Sequence, residues 1–226
     1  MADSSRIDLR FVASETHGNV SATLWRPSKA RALFVLAHGA GADMRHTFME
    51  SLSEFLFERD IATFRYQFPY KEAAKRRPDP ASTLQATVRR AINTAREHAG
   101  DLPIVAGGKS MGGRMTSSTI ATEPISGVHG LVFVGFPLHP TGKPSINRSD
   151  HLEDVRLPML FVQGTRDRLA ELELLQPICA RLSGATLHIV EGGDHSFHVL
   201  KRSGRTDEEA LNEVAEAIAE WTTGVV

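Results

Sequence analysis

Ile104-Val-Ala-Gly-Gly-Lys-Ser-Met-Gly-Gly113 decides the fold: a short apolar run breaks into glycines around a single serine. It reads as a buried strand over 104–106, a tight turn carrying Ser110, and a helix opening at Met111. This is the G-x-S-x-G pattern of a nucleophile elbow. A serine on such a turn takes strained backbone angles, and its neighbours must be small for the helix to pack back on the strand. Gly107, Gly108, Gly112 and Gly113 meet that need. The helix start aims free N–H groups and a positive dipole end at the serine, where negative charge develops during attack on a carbonyl. Gly-Lys-Ser also ends a phosphate-binding P-loop, but that loop needs a glycine five positions before Gly108, where this chain has Pro103.

Outward from the elbow, apolar runs alternate with amphipathic stretches. Residues 32–37, 61–68, 131–136, 159–163 and 185–190 read as strands, 32–37 as a continuous apolar run covered on both faces, 131–136 as buried, and 61–68 stopped by Pro69. Residues 7–12 and 20–25 alternate apolar and polar around Thr16-His17-Gly18-Asn19, an antiparallel hairpin at the sheet edge with His17 in its turn. Thr47-Phe-Met-Glu50 reads as a capping box opening a helix whose apolar face is Met49, Leu52, Phe55 and Leu56. Asp79-Pro80 reads as an N-cap and first-turn proline for a helix carrying Leu84, Val88, Ile92 and Ala95, closed by Gly100. Residues 169–182 form another helix, and Thr206-Asp-Glu-Glu209 caps a last one burying Leu211, Val214, Ile218 and Trp221. Residues 70–79 lack apolar periodicity and read as a surface loop. The alternation predicts a single α/β domain over 1–226, with a mostly parallel sheet and helices on both faces.

In such sheets reacting groups collect past the carboxyl ends of the strands. Two strand ends offer partners for Ser110. Gly164-Thr165-Arg166-Asp167 follows one, and Gly193-Asp194-His195 follows the other, in the order Ser, Asp, His. A hydroxyl needs a base to take its proton at neutral pH; His195 is the candidate base, and Asp167 the group that sets its tautomer and stabilises its cation. Asp167, flanked by arginines, could instead serve a surface ion pair, and Asp194 and His198 compete with the chosen pair. An acyl-transfer oxyanion needs two backbone donors: Met111, directly after the nucleophile, and a residue of His38-Gly39-Ala40-Gly41, taken as Ala40 with Gly41 as the fallback. His38 itself is expected to tie that loop rather than act as a base.

Composition narrows the class. The 226 residues carry a net charge of -1, with 41% hydrophobic and 23% charged positions, which gives no electrostatic reason to expect nucleic acid or a membrane as partner. No apolar signal core opens the chain and no run is long enough to span a bilayer. Cys179, the lone cysteine, excludes an internal disulfide and a cysteine-based zinc site; it falls on the apolar face of the 169–182 helix and reads as core. A cytoplasmic protein needing no metal or cofactor is the expectation.

His38-Gly-Ala-Gly41, Phe68-Pro-Tyr70, Gly108-Lys-Ser-Met-Gly112, Phe136-Pro-Leu-His139, Gln163-Gly-Thr-Arg-Asp167 and Gly193-Asp-His195 together resemble the α/β-hydrolase superfamily, in particular its small lidless members related to dienelactone hydrolases. The resemblance spans nearly the whole chain. It implies an eight-stranded sheet with the second strand antiparallel, a minimal lid, and a Ser110, Asp167, His195 triad. The chain departs from dienelactone hydrolases in having serine where they have cysteine. Few residues separate the strands at 131–136 and 159–163, so no large lid is expected and the site should be open. Phe68, Tyr70, Leu138, His139 and Phe197 are the candidates for its lining, with packing of the strand ends as the alternative. The expected function is a serine carboxylesterase acting on small or medium soluble esters. A thioesterase, peptidase or acyltransferase with the same triad, or an idle binding protein on the same fold, are the rivals.

Overall fold

A computed structural model describes residues 5–226. One eight-stranded sheet runs through it: β1 (Ser5–Ser14), β2 (His17–Arg26), β3 (Ala32–Ala37), β4 (Ile61–Tyr66), β5 (Ile104–Lys109), β6 (Val128–Val134), β7 (Met159–Gly164) and β8 (Ala185–Val190), in the spatial order β1-β2-β4-β3-β5-β6-β7-β8. β2 pairs antiparallel with both β1 and β4, and every pair from β4 to β8 is parallel. This is the α/β-hydrolase fold expected from the strand pattern and the resemblance.

The helices are α1 (Thr47–Phe57), α2 (Pro69–Glu72), α3 (Ala81–Ala99), α4 (Met111–Thr122), α5 (Leu172–Arg181) and α6 (Asp207–Val225). Alternation along the strands sorts them into two layers. Leu33, Val35 and Ala37 of β3 face one core with α3, α4 and α5; Ala32, Phe34 and Leu36 face another with α1 and α6. Every residue of β3 is buried, as a central parallel strand requires. Fully burying a side chain such as Phe34 or Leu36 contributes about 1.5–3 kcal/mol, and two such layers hold the strand ends in place.

Three local expectations are corrected. Thr47 does not cap α1: His46 is the N-cap, its Nδ1 accepting from Phe48 N–H at 3.2 Å. The reason lies on β4, where the buried Arg65 guanidinium takes the Glu50 carboxylate at 2.8 Å and leaves it unable to complete a capping box. Nor does Asp79 cap α3, which opens at Ala81 with Pro80 as N-cap and no side-chain cap bond. Residues 70–79 are not all surface loop: Pro69 opens the short α2, and Tyr70 is fully buried. The capping box at Thr206 and Glu209 and the Gly100 terminus of α3 are present as read.

Candidate active site

β5 ends in the elbow. Ser110 has φ 52 and ψ -116, a region that costs a non-glycine residue on the order of 1–3 kcal/mol. Ser110 N–H donates to the Val134 carbonyl at 3.1 Å, which pins the turn to β6. α4 then packs so tightly on the end of β3 that a Cβ on Gly112 would lie 2.6 Å from the Ala37 carbonyl oxygen. Only glycine permits that approach.

The loops after β7 and β8 meet in the same way. A Cβ on Gly164 would fall 2.2 Å from Gly193 O, and Arg166 N–H donates to the Gly193 carbonyl at 2.8 Å. This contact brings Asp167 and His195 together although 28 positions separate them. His195 Nε2 lies 2.8 Å from Ser110 Oγ, and its Nδ1 lies 2.7 Å from Asp167 Oδ2. Asp167, only 3% exposed, also accepts from Gln163 Nε2 at 2.5 Å and from Leu169 N–H at 2.8 Å. Asp167 accepts from Gln163 and Leu169, and an Nδ1–H tautomer of His195 completes its set of donors and leaves Nε2 facing Ser110 Oγ as an acceptor. Burial holds the His195 pKa below its ordinary 6.5; the Asp167 hydrogen bond opposes that shift and the nearby Lys109 charge adds to it. Asp194 is engaged elsewhere, accepting from Ser196 and His198 N–H within its own turn, and His198 pairs with Asp207.

The loop over the serine is fixed from behind. His38, buried, donates from Nδ1 to the Gly39 carbonyl at 2.8 Å and accepts Phe68 N–H on Nε2 at 3.2 Å. That tautomer is neutral, in keeping with burial pushing its pKa down to about 4. Tyr70 OH donates to the Ala40 carbonyl at 2.9 Å. Gly39 passes close enough that a Cβ there would sit 3.7 Å from Ser110 Cβ. Among the described residues the N–H groups of Met111, Ala40 and Gly41 are left without a protein acceptor, whereas Ala42 N–H bonds Gly39 O.

The lining differs from the expected set. Phe68, Tyr70, Leu138, His139 and Phe197 are all at most 1% exposed and pack under the strand ends instead of facing the opening. His38, Phe68 and Tyr70 form one aromatic cluster, Phe68 edge-on to His38 and stacked on Tyr70, and His139 bonds the Pro140 carbonyl and Glu171. The cleft beside Ser110, of about 400 Å³, is lined by Gly41, Ala42, Phe48, Met49, Lys109 and Leu169 along with His195. None of the five aromatic and apolar candidates is there, whereas Gly41, the fallback oxyanion donor, is. Lys109 and Gln163 are contributors that sequence reasoning missed. Lys109 Nζ donates to the His195 carbonyl at 2.5 Å, between the Phe48 and Phe197 rings. Gln163 joins Asp167 to Phe136 N–H. A polar residue closing the apolar run 159–162 was the available signal for Gln163.

Comparison with known proteins agrees with this architecture. A family model described as alpha/beta hydrolase domain matches residues 30–223. A dienelactone hydrolase from Anabaena variabilis superposes with a TM-score of 0.79 at 20% identity, covering 99% of each chain. An alpha-beta serine hydrolase homologue from Coxiella burnetii gives 0.74 at 18%, covering 95% of this chain and 96% of the other. An a/b serine hydrolase without lid from Xanthomonas campestris gives 0.73 at 16%, covering 96% and 95%. At these identities the likeness to solved structures is one of fold, while the family match spans most of the chain: the protein belongs to the alpha/beta hydrolase domain family, on a fold shared with dienelactone hydrolase.

Proposed function

We propose that the protein is a cytoplasmic serine esterase that hydrolyses small or medium esters through an acyl-enzyme on Ser110, without a cofactor. Ser110 Oγ attacks the ester carbonyl while His195 Nε2 takes its proton, and Asp167 stabilises the imidazolium. The tetrahedral oxyanion is held by the N–H groups of Met111 and Ala40, each such donor contributing on the order of 3–4 kcal/mol to lowering the barrier. His195 then gives the proton to the departing alcohol, and water, deprotonated by the same ring, releases the acid.

The single observation that carries this reading is the continuous relay Ser110, His195, Asp167 at 2.8 and 2.7 Å beneath an open cleft. Between β6 and β7 the only helical segment is a 3-10 helix, Asn147–Asp154, so no helical lid favours long lipid tails. Relatives of the same fold include the esterase Est1E from Butyrivibrio proteoclasticus, solved also with ferulic acid bound. The test is p-nitrophenyl butyrate hydrolysis together with labelling by a fluorophosphonate. Wild type turns over and takes label; Ser110→Ala folds and does neither. Turnover persisting in Ser110→Ala, or wild type refusing the label, overturns the assignment.

A further inference from the structure

Ser110 stands between two depressions. The second, of about 420 Å³, is lined by Met111, Arg114, Met115, Arg148, Asp79 and Leu169. Arg114 lies one helical turn beyond the serine, its N–H bonding the Ser110 carbonyl at 3.2 Å. Its side chain is partly buried, and Nε is fully buried with no hydrogen-bond partner. Elsewhere the arginines are engaged: Arg6 and Arg65 hold Glu50, Arg10 holds Glu72, Arg89 holds Glu123, and Arg205 holds Glu213. Among the described residues the arginines left without a partner are exposed, with two exceptions, Arg114 and Arg148, and these two share one cleft.

That cleft is lined by two arginines and one carboxylate, an excess of positive charge. Burial pushes the Arg114 pKa below its ordinary range, and the Arg148 charge pushes the same way. His151, which bonds Ser117 at 2.7 Å, is held down by burial and then by Arg114. Asp79 is the one carboxylate of the lining, and it pairs with neither guanidinium; its Oδ2 is buried without a partner. Two cations and one anion leave a net charge of one, which a singly charged carboxylate balances. A guanidinium fork matches a carboxylate in two parallel hydrogen bonds.

We propose that the esters this site takes carry a carboxylate a few bonds from the scissile carbonyl, and that Arg114 and Arg148 receive it. The proposal rests on the esterase reading of Ser110 and adds the class of substrate.

The test compares kcat/KM for two matched pairs. p-Nitrophenyl monoglutarate against p-nitrophenyl valerate places the charge in the acid half; 4-carboxyphenyl butyrate against 4-carbamoylphenyl butyrate places it in the alcohol half. In at least one pair the anionic-to-neutral ratio is high in wild type and falls roughly tenfold in Arg114→Gln and again in Arg148→Gln, the scale of one lost charge-assisted hydrogen bond. Arg114→Lys, which keeps the charge but not the fork, retains part of the ratio. Arg148 lies on the 3-10 helix and not in the central layers, so its variant reports even where Arg114→Gln folds poorly. As a reading independent of turnover, glutarate raises the melting temperature of Ser110→Ala and leaves Ser110→Ala/Arg114→Gln/Arg148→Gln unmoved. Ser110-dependent hydrolysis of the neutral esters with ratios indifferent to both arginines overturns the proposal and leaves the esterase standing. No hydrolysis of any ester and no fluorophosphonate label overturns the esterase, and this proposal with it.

Discussion

Replacing Lys109 by Met separates its effect on stability from its effect on His195. Lys109 is 7% exposed, and its Nζ has the His195 carbonyl as hydrogen-bond acceptor and two aromatic faces, with centroids 5.8 and 5.7 Å away. Burial lowers its pKa from 10.5 to about 8, with Asp167 and Asp194 opposing the shift. Holding the ammonium in the fold at neutral pH therefore costs about 3 kcal/mol relative to the unfolded chain. Below the folded value both states are protonated and the penalty is complete. Between about 8 and 10.5 the fold sheds the proton first, so stability rises with pH across that window. Lys109→Met removes the penalty but also a charged hydrogen bond worth about 1.5–3 kcal/mol and ring contacts worth about 0.5–1 kcal/mol each. The two sides nearly cancel at pH 7.

Catalysis does not share that cancellation. Without its tether the His195 peptide can shift, and a displacement near 1 Å costs roughly a hundredfold in rate, so kcat/KM should fall about 10- to 100-fold. The Lys109 charge also helps keep the His195 pKa below 6.5. With the unprotonated ring as the proposed base, wild-type kcat/KM is expected to fall only as pH drops through that lowered value, and in Lys109→Met the acid limb moves to higher pH. Urea melts at pH 7 and pH 10, with kcat/KM from pH 4.5 to 9, measure both effects. Unchanged kcat/KM with an unmoved acid limb would show that Lys109 has no hold on His195, and a loss of more than about 3 kcal/mol at pH 7 would refute the cancellation in stability.

Two more perturbations follow from buried polar groups. Glu50→Gln strands Arg65, which is 1% exposed, but Glu50 is itself 31% exposed, so the loss is discounted to about 2 kcal/mol, or a melting temperature lower by roughly 4–8 °C. Burial raises the Glu50 pKa, and the bonds and charges of Arg65 and Arg6 outweigh it, leaving it below 4.5; the wild-type advantage is present above that value and disappears as pH falls through the folded one. Gln163→Leu leaves Phe136 N–H unpaired at a cost of about 1–3 kcal/mol and frees the Asp167 carboxylate. Its signature is kcat reduced about tenfold with KM little changed, read in p-nitrophenyl butyrate kinetics.

What was legible in the chain was whatever a strand end announces locally. Ser110, Asp167 and His195 each follow a short apolar run, and the parallel sheet puts such ends on one rim; the elbow glycines mark the rim's position because only close backbone approach demands them. Side-chain direction is not written that way. Phe68, Tyr70 and Phe197 also follow strand ends, yet each turns inward: Phe68 and Tyr70 join the His38 imidazole in supporting the loop over the serine from below, and Phe197 packs on the other side of the sheet against Phe48. The Tyr70 hydroxyl on the Ala40 carbonyl makes the mistake instructive: a residue expected to touch substrate instead holds the peptide that precedes an oxyanion donor candidate. Long-range electrostatics were the least legible. Nothing within a window of sequence joins Arg65 to Glu50 or Arg114 to Arg148; the first pair overrides a local capping pattern and the second gives a cleft its charge. Lys109 lies between these cases. Its position in the elbow was plain, but its direction depends on Gly135, where a Cβ would come within 2.9 Å of Nζ, so the space for a buried ammonium beside His195 is made by a residue on another strand's end.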